Sequence, residues 1–263
     1  MDFRLVGRRV LVTAASEGLG FATARAFALQ GADVWMVSRS EDKLQKAREV
    51  IVSETGRMNV FTSSADVAQK SELNEVFSQV HAVWDGVDIL INNAGGPKPG
   101  TFLEVAESDW ERAFELTLLS VIRCTNYVLP HMRKQHWGRI LNFTSSSMKQ
   151  PIENLILSNT FRTAVAGLSK SLALEFAKDN ILVNTLGPGR IATARVASLD
   201  EAAAGRSGRS VEDVKVASEA NIPMGRYGTP EEFANTAVFL ASDANGYVTG
   251  QSILVDGGLV KAL

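Results

Sequence analysis

Apolar positions along the chain come in two textures. Short, β-branched runs at 9–13, 33–38, 58–63, 87–92, 138–144, 181–186 and 252–255 have the length and composition of buried strands. Longer stretches at 18–30, 41–55, 69–85, 107–135, 154–178 and 230–242 read as helices. Strand and helix alternate almost throughout, which predicts right-handed crossovers and a parallel sheet covered by helices on both faces. The expected fold class is α/β, doubly wound.

One segment breaks the alternation. Residues 190–222 begin Ala-rich, pass through Gly205-Arg-Ser-Gly-Arg-Ser210 and end in a charged helical pattern from Val211. An insertion of that length beside a site reads as a lid over a substrate, with a plain surface excursion as the alternative. No repeat or low-complexity tract interrupts the chain, and 1–263 is taken as one domain.

Composition narrows the class without naming a chemistry. With 45% hydrophobic and 21% charged residues this is a soluble globular chain with ample core. A net charge of -2 and a pI near 6.0 give no electrostatic reason to expect nucleic acid or an acidic membrane as partner. The single cysteine, Cys124, excludes an internal disulfide and falls in a helical pattern, where it reads as a small buried hydrophobe rather than a reactive thiol. The chain starts without a signal-peptide pattern and holds no apolar stretch long enough to span a membrane, so a cytoplasmic protein is expected. His81, His131 and His136 lie in or beside helices, and no metal site is expected.

In a doubly wound sheet a ligand sits outside the carboxyl ends of the strands. The residues there are Ser38-Arg39, Ala65-Asp66-Val67, Asn92-Asn93-Ala94-Gly95, Ser145-Ser146-Ser147 and Gly187-Pro188-Gly189. The first strand runs into Thr13-Ala14-Ala15-Ser16-Glu17-Gly18-Leu19-Gly20, whose glycines would let backbone N–H groups approach a phosphate at a helix N-terminus. Ala14 stands where the first glycine of the dinucleotide fingerprint would be, so a tight turn without ligand is the alternative.

Taken in order, these residues resemble the short-chain dehydrogenase/reductase family over essentially the whole chain. Besides the Gly-rich turn, the matches are Asp66-Val67, Asn92-Asn-Ala-Gly95, Asn184 to Gly189, Gly225-Arg-Tyr-Gly-Thr-Pro-Glu-Glu232 and Tyr247-Val-Thr-Gly-Gln251 through Asp256-Gly-Gly258. The likeness is greatest to β-ketoacyl carrier-protein reductase-like members, especially those with an imperfect catalytic set. It implies a Rossmann-type sheet of about seven strands in the order 3-2-1-4-5-6-7. It places Thr13, Ala15, Ser16, Glu17, Gly18, Leu19 and Gly20 in the phosphate turn, Asp66 and Val67 on the adenine side, with a helix N-cap as the other reading of Asp66, and Asn93, Ala94 and Gly95 along the ribose. Pro188, Gly189, Ile191 and Thr193 fall at the nicotinamide amide. Helices 107–135 and 154–178 correspond to the family's dimer bundle, implying a homodimer or homotetramer.

The family's reactive set is an Asn, a Ser, a Tyr and a Lys four residues after the Tyr. Ser145 matches the Ser. The Tyr position falls on Ser158, the Lys position on Arg162 and the Asn position on Thr117. Tyr127, Tyr227 and Tyr247 match ordinary positions elsewhere and cannot stand in. A serine hydroxyl is a far weaker acid than a tyrosine. Arg162 keeps a fixed charge and a forked donor set able to hold the cofactor ribose and stabilise an oxyanion. Ser145, Ser158 and Arg162 are therefore expected to polarise a carbonyl and draw the proton from water. Lys149 is a possible extra donor, with a solvated loop lysine as the plainer reading.

Cofactor choice turns on the end of the second strand, where an acid would bind a ribose 2′-OH and a base a 2′-phosphate. Val37-Ser38-Arg39 offers no acid, and Arg39 opens a helix, where the dipole disfavours a cation, which favours NADP(H) over NAD(H). Glu17 argues the other way unless it pairs with Arg39. The expected function is hydride transfer between NADP(H) and a small carbonyl or alcohol, a 3-oxoacyl thioester among the candidates. A catalytically silent cofactor-binding protein and a non-redox lyase are the competing readings. Arg195, Arg206 and Arg209 are read as solvated surface charges, the alternative being contact with an anionic or carrier-bound acyl group.

Overall fold

The structure, a computed structural model, describes residues 2–262. Its frame is a parallel sheet in the order β3-β2-β1-β4-β5-β6-β7. The strands are β1 Arg9–Thr13, β2 Asp33–Ser38, β3 Val60–Ser64, β4 Ile89–Asn92, β5 Gly138–Phe143, β6 Ile181–Pro188 and β7 Ser252–Val255. The helices are α1 Gly18–Leu29, α2 Glu41–Thr55, α3 Lys70–Val83, α4 Glu107–Phe114, α5 Ser120–Lys134, α6 Ile156–Phe176, α7 Ala194–Ser207, α8 Val211–Ala220 and α9 Pro230–Leu240. The expected architecture and strand order are both present.

Neighbouring side chains of a strand point to opposite faces, yet Val10, Leu11 and Val12 are all fully buried because helices cover both sides. On one side Val10, Val12 and Met36 pack with Phe27 of α1 and Phe233 of α9. On the other Leu11, Trp35 and Leu90 meet Val80 of α3 and Val128 and Met132 of α5. Order reverses between β1 and β4, whose partners are β2 and β5 respectively, so the crevice opens at the carboxyl ends of these central strands.

Four departures from the sequence pattern have local causes. Met58 is 67% exposed, and β3 starts only at Val60. The 107–135 helix is interrupted by one π-helical turn, Glu115–Leu119, between α4 and α5. Asn154 takes a left-handed backbone (φ 58°), which delays α6 to Ile156. Residues 190–222 fold as two helices. α7 is capped by Thr193, α8 by Ser210, and Gly208 (φ 67°) ends α7 in the left-handed conformation that glycine adopts at low cost.

Candidate active site

A cavity of about 850 Å³ opens above the carboxyl ends of the central strands. Its floor begins at the turn after β1. Ala14 carries a positive φ of 47° at the position lacking a glycine, a conformation that costs an alanine about 1–2 kcal/mol. The turn is held from behind: Thr13 Oγ1 donates to Asn93 O (2.6 Å) and accepts from Asn93 N (2.9 Å), and Asn93 Nδ2 donates to Ala14 O. Gly20 closes this joint, since a Cβ there would lie 2.2 Å from Ala14 O. Glu17 is the N-cap of α1 and makes no side-chain cap, so no side chain covers the first turn of the helix.

Every residue expected to hold a cofactor lines this cavity except Thr13, Ala15 and Gly20; Ala14 lines it instead. Ala15 faces the core with its N–H on Val37 O, and Thr13 and Gly20 act from behind the turn. Sequence alone cannot tell which face of a turn looks outward.

At the far end Ser38 and Ser16 share a hydroxyl hydrogen bond (2.8 Å), and Arg39 is exposed with no carboxylate in ion-pair reach among the described residues. Glu17 does not pair with Arg39. It meets Lys43 at 2.8 Å, one turn into α2, a partner that the sequence reading missed. Asp66 receives Arg112 Nη2 (2.6 Å) and the N–H of Ala68. Burial pushes this carboxyl up, but the Arg112 guanidinium and the Ala68 N–H outweigh it and hold it below the usual range. Asp66 is not a helix N-cap: α3 begins at Lys70 behind Gln69, and Asp66 fixes the preceding turn.

At the reacting end Ser145, Ser158 and Arg162 line one wall. Ser145 Oγ accepts the N–H of Ser147, and Ser147 Oγ lies 3.5 Å from Ser158 Oγ. Arg162, one turn beyond Ser158 on α6, is 7% exposed. It donates through Nη1 to Phe143 O (2.8 Å) and through Nη2 to Ala94 O (3.1 Å), bracing the ends of β4 and β5. Burial, with Arg195 nearby, pushes its pKa down to about 10. Thr117 is not on this wall. It sits in the π turn, 1% exposed, beside a small separate void that Arg162 also lines, and its Oγ1 has no hydrogen-bond partner among the described residues.

The other titratable candidates lie elsewhere. Tyr127 donates to Phe77 O and stacks on Phe77, Tyr227 donates to Asp200, and Tyr247 is 98% exposed. His131 joins Arg9 and Asp88 below the sheet, and Lys149 is exposed outside the cavity wall. Cys124 is buried, and burial pushes its thiol up to about 12. Among the described residues no group of His, Cys, Asp and Glu could hold a metal, and no helix is long and apolar enough to cross a membrane.

Three comparisons bear on this arrangement. A family model described as Enoyl-(Acyl carrier protein) reductase matches residues 13–260. The 3-oxoacyl-(acyl-carrier-protein) reductase FabG of Aquifex aeolicus (strain VF5) is 33% identical over 259 residues, 98% of this chain and 100% of its own. The L-sorbose reductase of Gluconobacter frateurii, solved with NADPH and L-sorbose, superposes with a TM-score of 0.94 at 32% identity, covering 100% of both chains. The chain belongs to the short-chain dehydrogenase/reductase family.

In this short-chain dehydrogenase/reductase the cleft has the chemistry a dinucleotide needs. The bare N-terminus of α1 presents N–H groups and the positive end of a helix dipole to the cavity. A Cβ on Gly18 would reach 3.7 Å from Thr193, so the phosphate turn and the segment after β6 face each other across a narrow gap. The sequence reading missed further lining residues: Lys98, Asp109, Arg112, Gln150 and Arg190. Lys98 is paired with Asp109, and Arg190 with Asp200, whose other oxygen takes the Tyr227 hydroxyl and anchors α7.

Proposed function

We propose that the chain is an NADPH-dependent reductase of small carbonyl compounds, with water as proton source. The observation that carries this reading is Arg162: a buried guanidinium with no carboxylate partner among the described residues, on the same wall as Ser145 and Ser158. Bound NADPH supplies the hydride to the carbonyl carbon. Ser145 and Ser158 donate hydrogen bonds to the carbonyl oxygen, and the fixed charge of Arg162 favours the alkoxide as it forms. That oxygen takes its proton from water, leaving hydroxide to the solvent. A positioned acid contributes about 100- to 10,000-fold, so the rate falls below that of a tyrosine-bearing relative by about that factor.

The cofactor reading assigns the phosphate turn to Ser16 through Leu19, the adenine edge to Asp66 and Val67, and the ribose to Asn93, Ala94, Gly95 and Arg162. Pro188, Gly189, Ile191 and Thr193 take the nicotinamide amide. Arg39 takes the 2′-phosphate, and Lys43 occupies Glu17, which removes the acid's objection to that phosphate. The two helices of 190–222 form the substrate lid of a single domain, and α4, α5 and α6 form a subunit interface. The NADPH bound by the sorbose reductase supports the same choice.

A second reading keeps the cofactor and drops turnover. It is favoured by the absence of a tyrosine, histidine or cysteine from the cavity wall among the described residues. Hydride transfer from NADPH and NADH to short ketones and β-ketoacyl thioesters separates the two, run on the native chain and on the Ser158→Tyr, Arg162→Lys double variant. Turnover by the native chain supports the reductase; turnover by the double variant alone supports the silent binder.

A further inference from the structure

Arg195 is an exposed residue, but its guanidinium is not free in solvent. It lies in the first turn of α7 and lines the cavity, and its guanidinium is laid against the turn after β4. Nη2 donates to Pro97 O (3.3 Å), and a Cβ on Gly96 would lie 2.7 Å from the same nitrogen, so the guanidinium rests directly against this turn. Arg162 holds the same turn from beneath through Ala94 O and weakly through Gly95 O. Two guanidinium groups thus hold residues 94–97 by their carbonyl oxygens.

Three terms oppose that placement. A cation at a helix N-terminus meets the positive end of the dipole. Arg195 is a like charge close enough to help depress the pKa of Arg162, and Arg195 is itself pushed below the usual arginine range by partial burial. Neither guanidinium has a carboxylate within 4.0 Å among the described residues, whereas Lys98, Arg112 and Arg190 on the same wall each have one. By contrast Arg209 lies at the exposed start of α8, bonded to Asp213 O, as a solvated charge would be.

We infer that Arg195 receives an anionic group of the substrate, a carboxylate, so that this chain reduces oxo acids in preference to neutral ketones. The inference rests on the reductase reading and names its substrate class. Val196 and Leu199 of α7, with Ile152 and Leu155, add apolar lining to the same cavity, as a short carbon chain between the carboxylate and the serines requires. A guanidinium holds a carboxylate with two parallel N–H bonds, geometry that a lysine or a neutral donor does not reproduce. The competing anion is a phosphate of the cofactor itself, since Thr193, two residues earlier, faces Gly18.

The test uses pyruvate, acetoacetate and levulinate, each against its methyl ester. Calorimetric titration into the chain saturated with NADP+ reads binding without turnover, and initial rates with NADPH read reduction. At least one acid is expected to bind about 10- to 100-fold tighter than its ester, the range of a charge-assisted contact. Arg195→Met should erase that difference, Arg195→Lys should restore part of it, and NADPH affinity should stay within about twofold in both. Acids and esters that bind alike in the native chain, or a loss of NADPH affinity in Arg195→Met with the acid preference intact, overturn the inference. Tighter binding of the acid with no reduction of any compound upholds the anion subsite and refutes the reductase reading.

Discussion

Replacing Arg162 with methionine sets two opposed terms against each other. Burial pushes the guanidinium down from the ordinary arginine range to about 10, and at about 1.4 kcal/mol per unit this disfavours the cation in the folded chain by roughly 3 kcal/mol. That cost is fully present below pH of about 10 and is relieved only as pH rises from there towards the ordinary arginine range. Against it stand the bonds to Phe143 O and Ala94 O, about 1.5–3 kcal/mol each for a charged donor; the 3.5 Å contact to Gly95 O adds little. Methionine fills much of the same space, so Arg162→Met should cost about 0–3 kcal/mol in the ligand-free chain. At about 2–4 °C per kcal/mol this lowers the Tm by no more than about 10 °C. Affinity for NADPH should fall about 10- to 100-fold if the charge and fork of Arg162 hold the ribose as proposed. Calorimetric Tm with and without NADPH, together with a fluorescence titration, checks both halves. A Tm loss well beyond 10 °C, or unchanged NADPH affinity, would show that Arg162 is a structural brace and would remove the observation on which the reductase reading stands.

Three further outcomes follow from named contacts. Asp88 is held below the usual carboxylate range because the Arg9 guanidinium and backbone N–H and Gln135 outweigh its burial, so its stabilisation is present above about pH 4 and is lost as pH falls through its depressed pKa. Asp88→Asn should cost about 2–3 kcal/mol, less than a fully buried pair because Arg9 keeps 22% of its side chain in water, and should flatten the acid limb of the stability curve. Gly20→Ala should cost about 1–3 kcal/mol and weaken NADPH binding as Ala14 is displaced, whereas Gly95→Ala, whose Cβ meets nothing within 4 Å, should leave thermal stability unchanged. Arg39→Ser should raise the KM for NADPH about 10-fold while leaving that for NADH unchanged; equal effects on both would refute the assignment of Arg39 to the 2′-phosphate.

Much of the fold was legible because the signals that carry it are local and periodic. A buried parallel strand must be apolar on both faces, so β1, β2 and β5 stand out as short continuous runs, and their starts were placed to the residue. Boundaries slipped where a single backbone torsion decided them, as at Asn154, or where one extra residue entered a helix, as at Glu115–Leu119. Neither alters the apolar spacing enough to be seen. Thr117, matched to the family's Asn, lies in that π turn, buried and off the cavity wall.

What the sequence determined by itself was the order of the strands' chemistry: which residues end each strand, and that Ser158 and Arg162 share one face of α6 four residues apart. A strand end is a position along the chain, and a helix face is a matter of spacing. What only the tertiary structure decided was which charges meet. Glu17 finds Lys43 rather than Arg39, Asp66 finds Arg112, and Arg195, 33 residues beyond Arg162, turns onto the same four-residue turn and receives no acid. Long charged side chains reach several ångströms from their backbones, and their partners come from separate crossovers, so no local pattern records the pairing. Coulomb energy depends on those distances and on burial, and both are properties of the packed molecule.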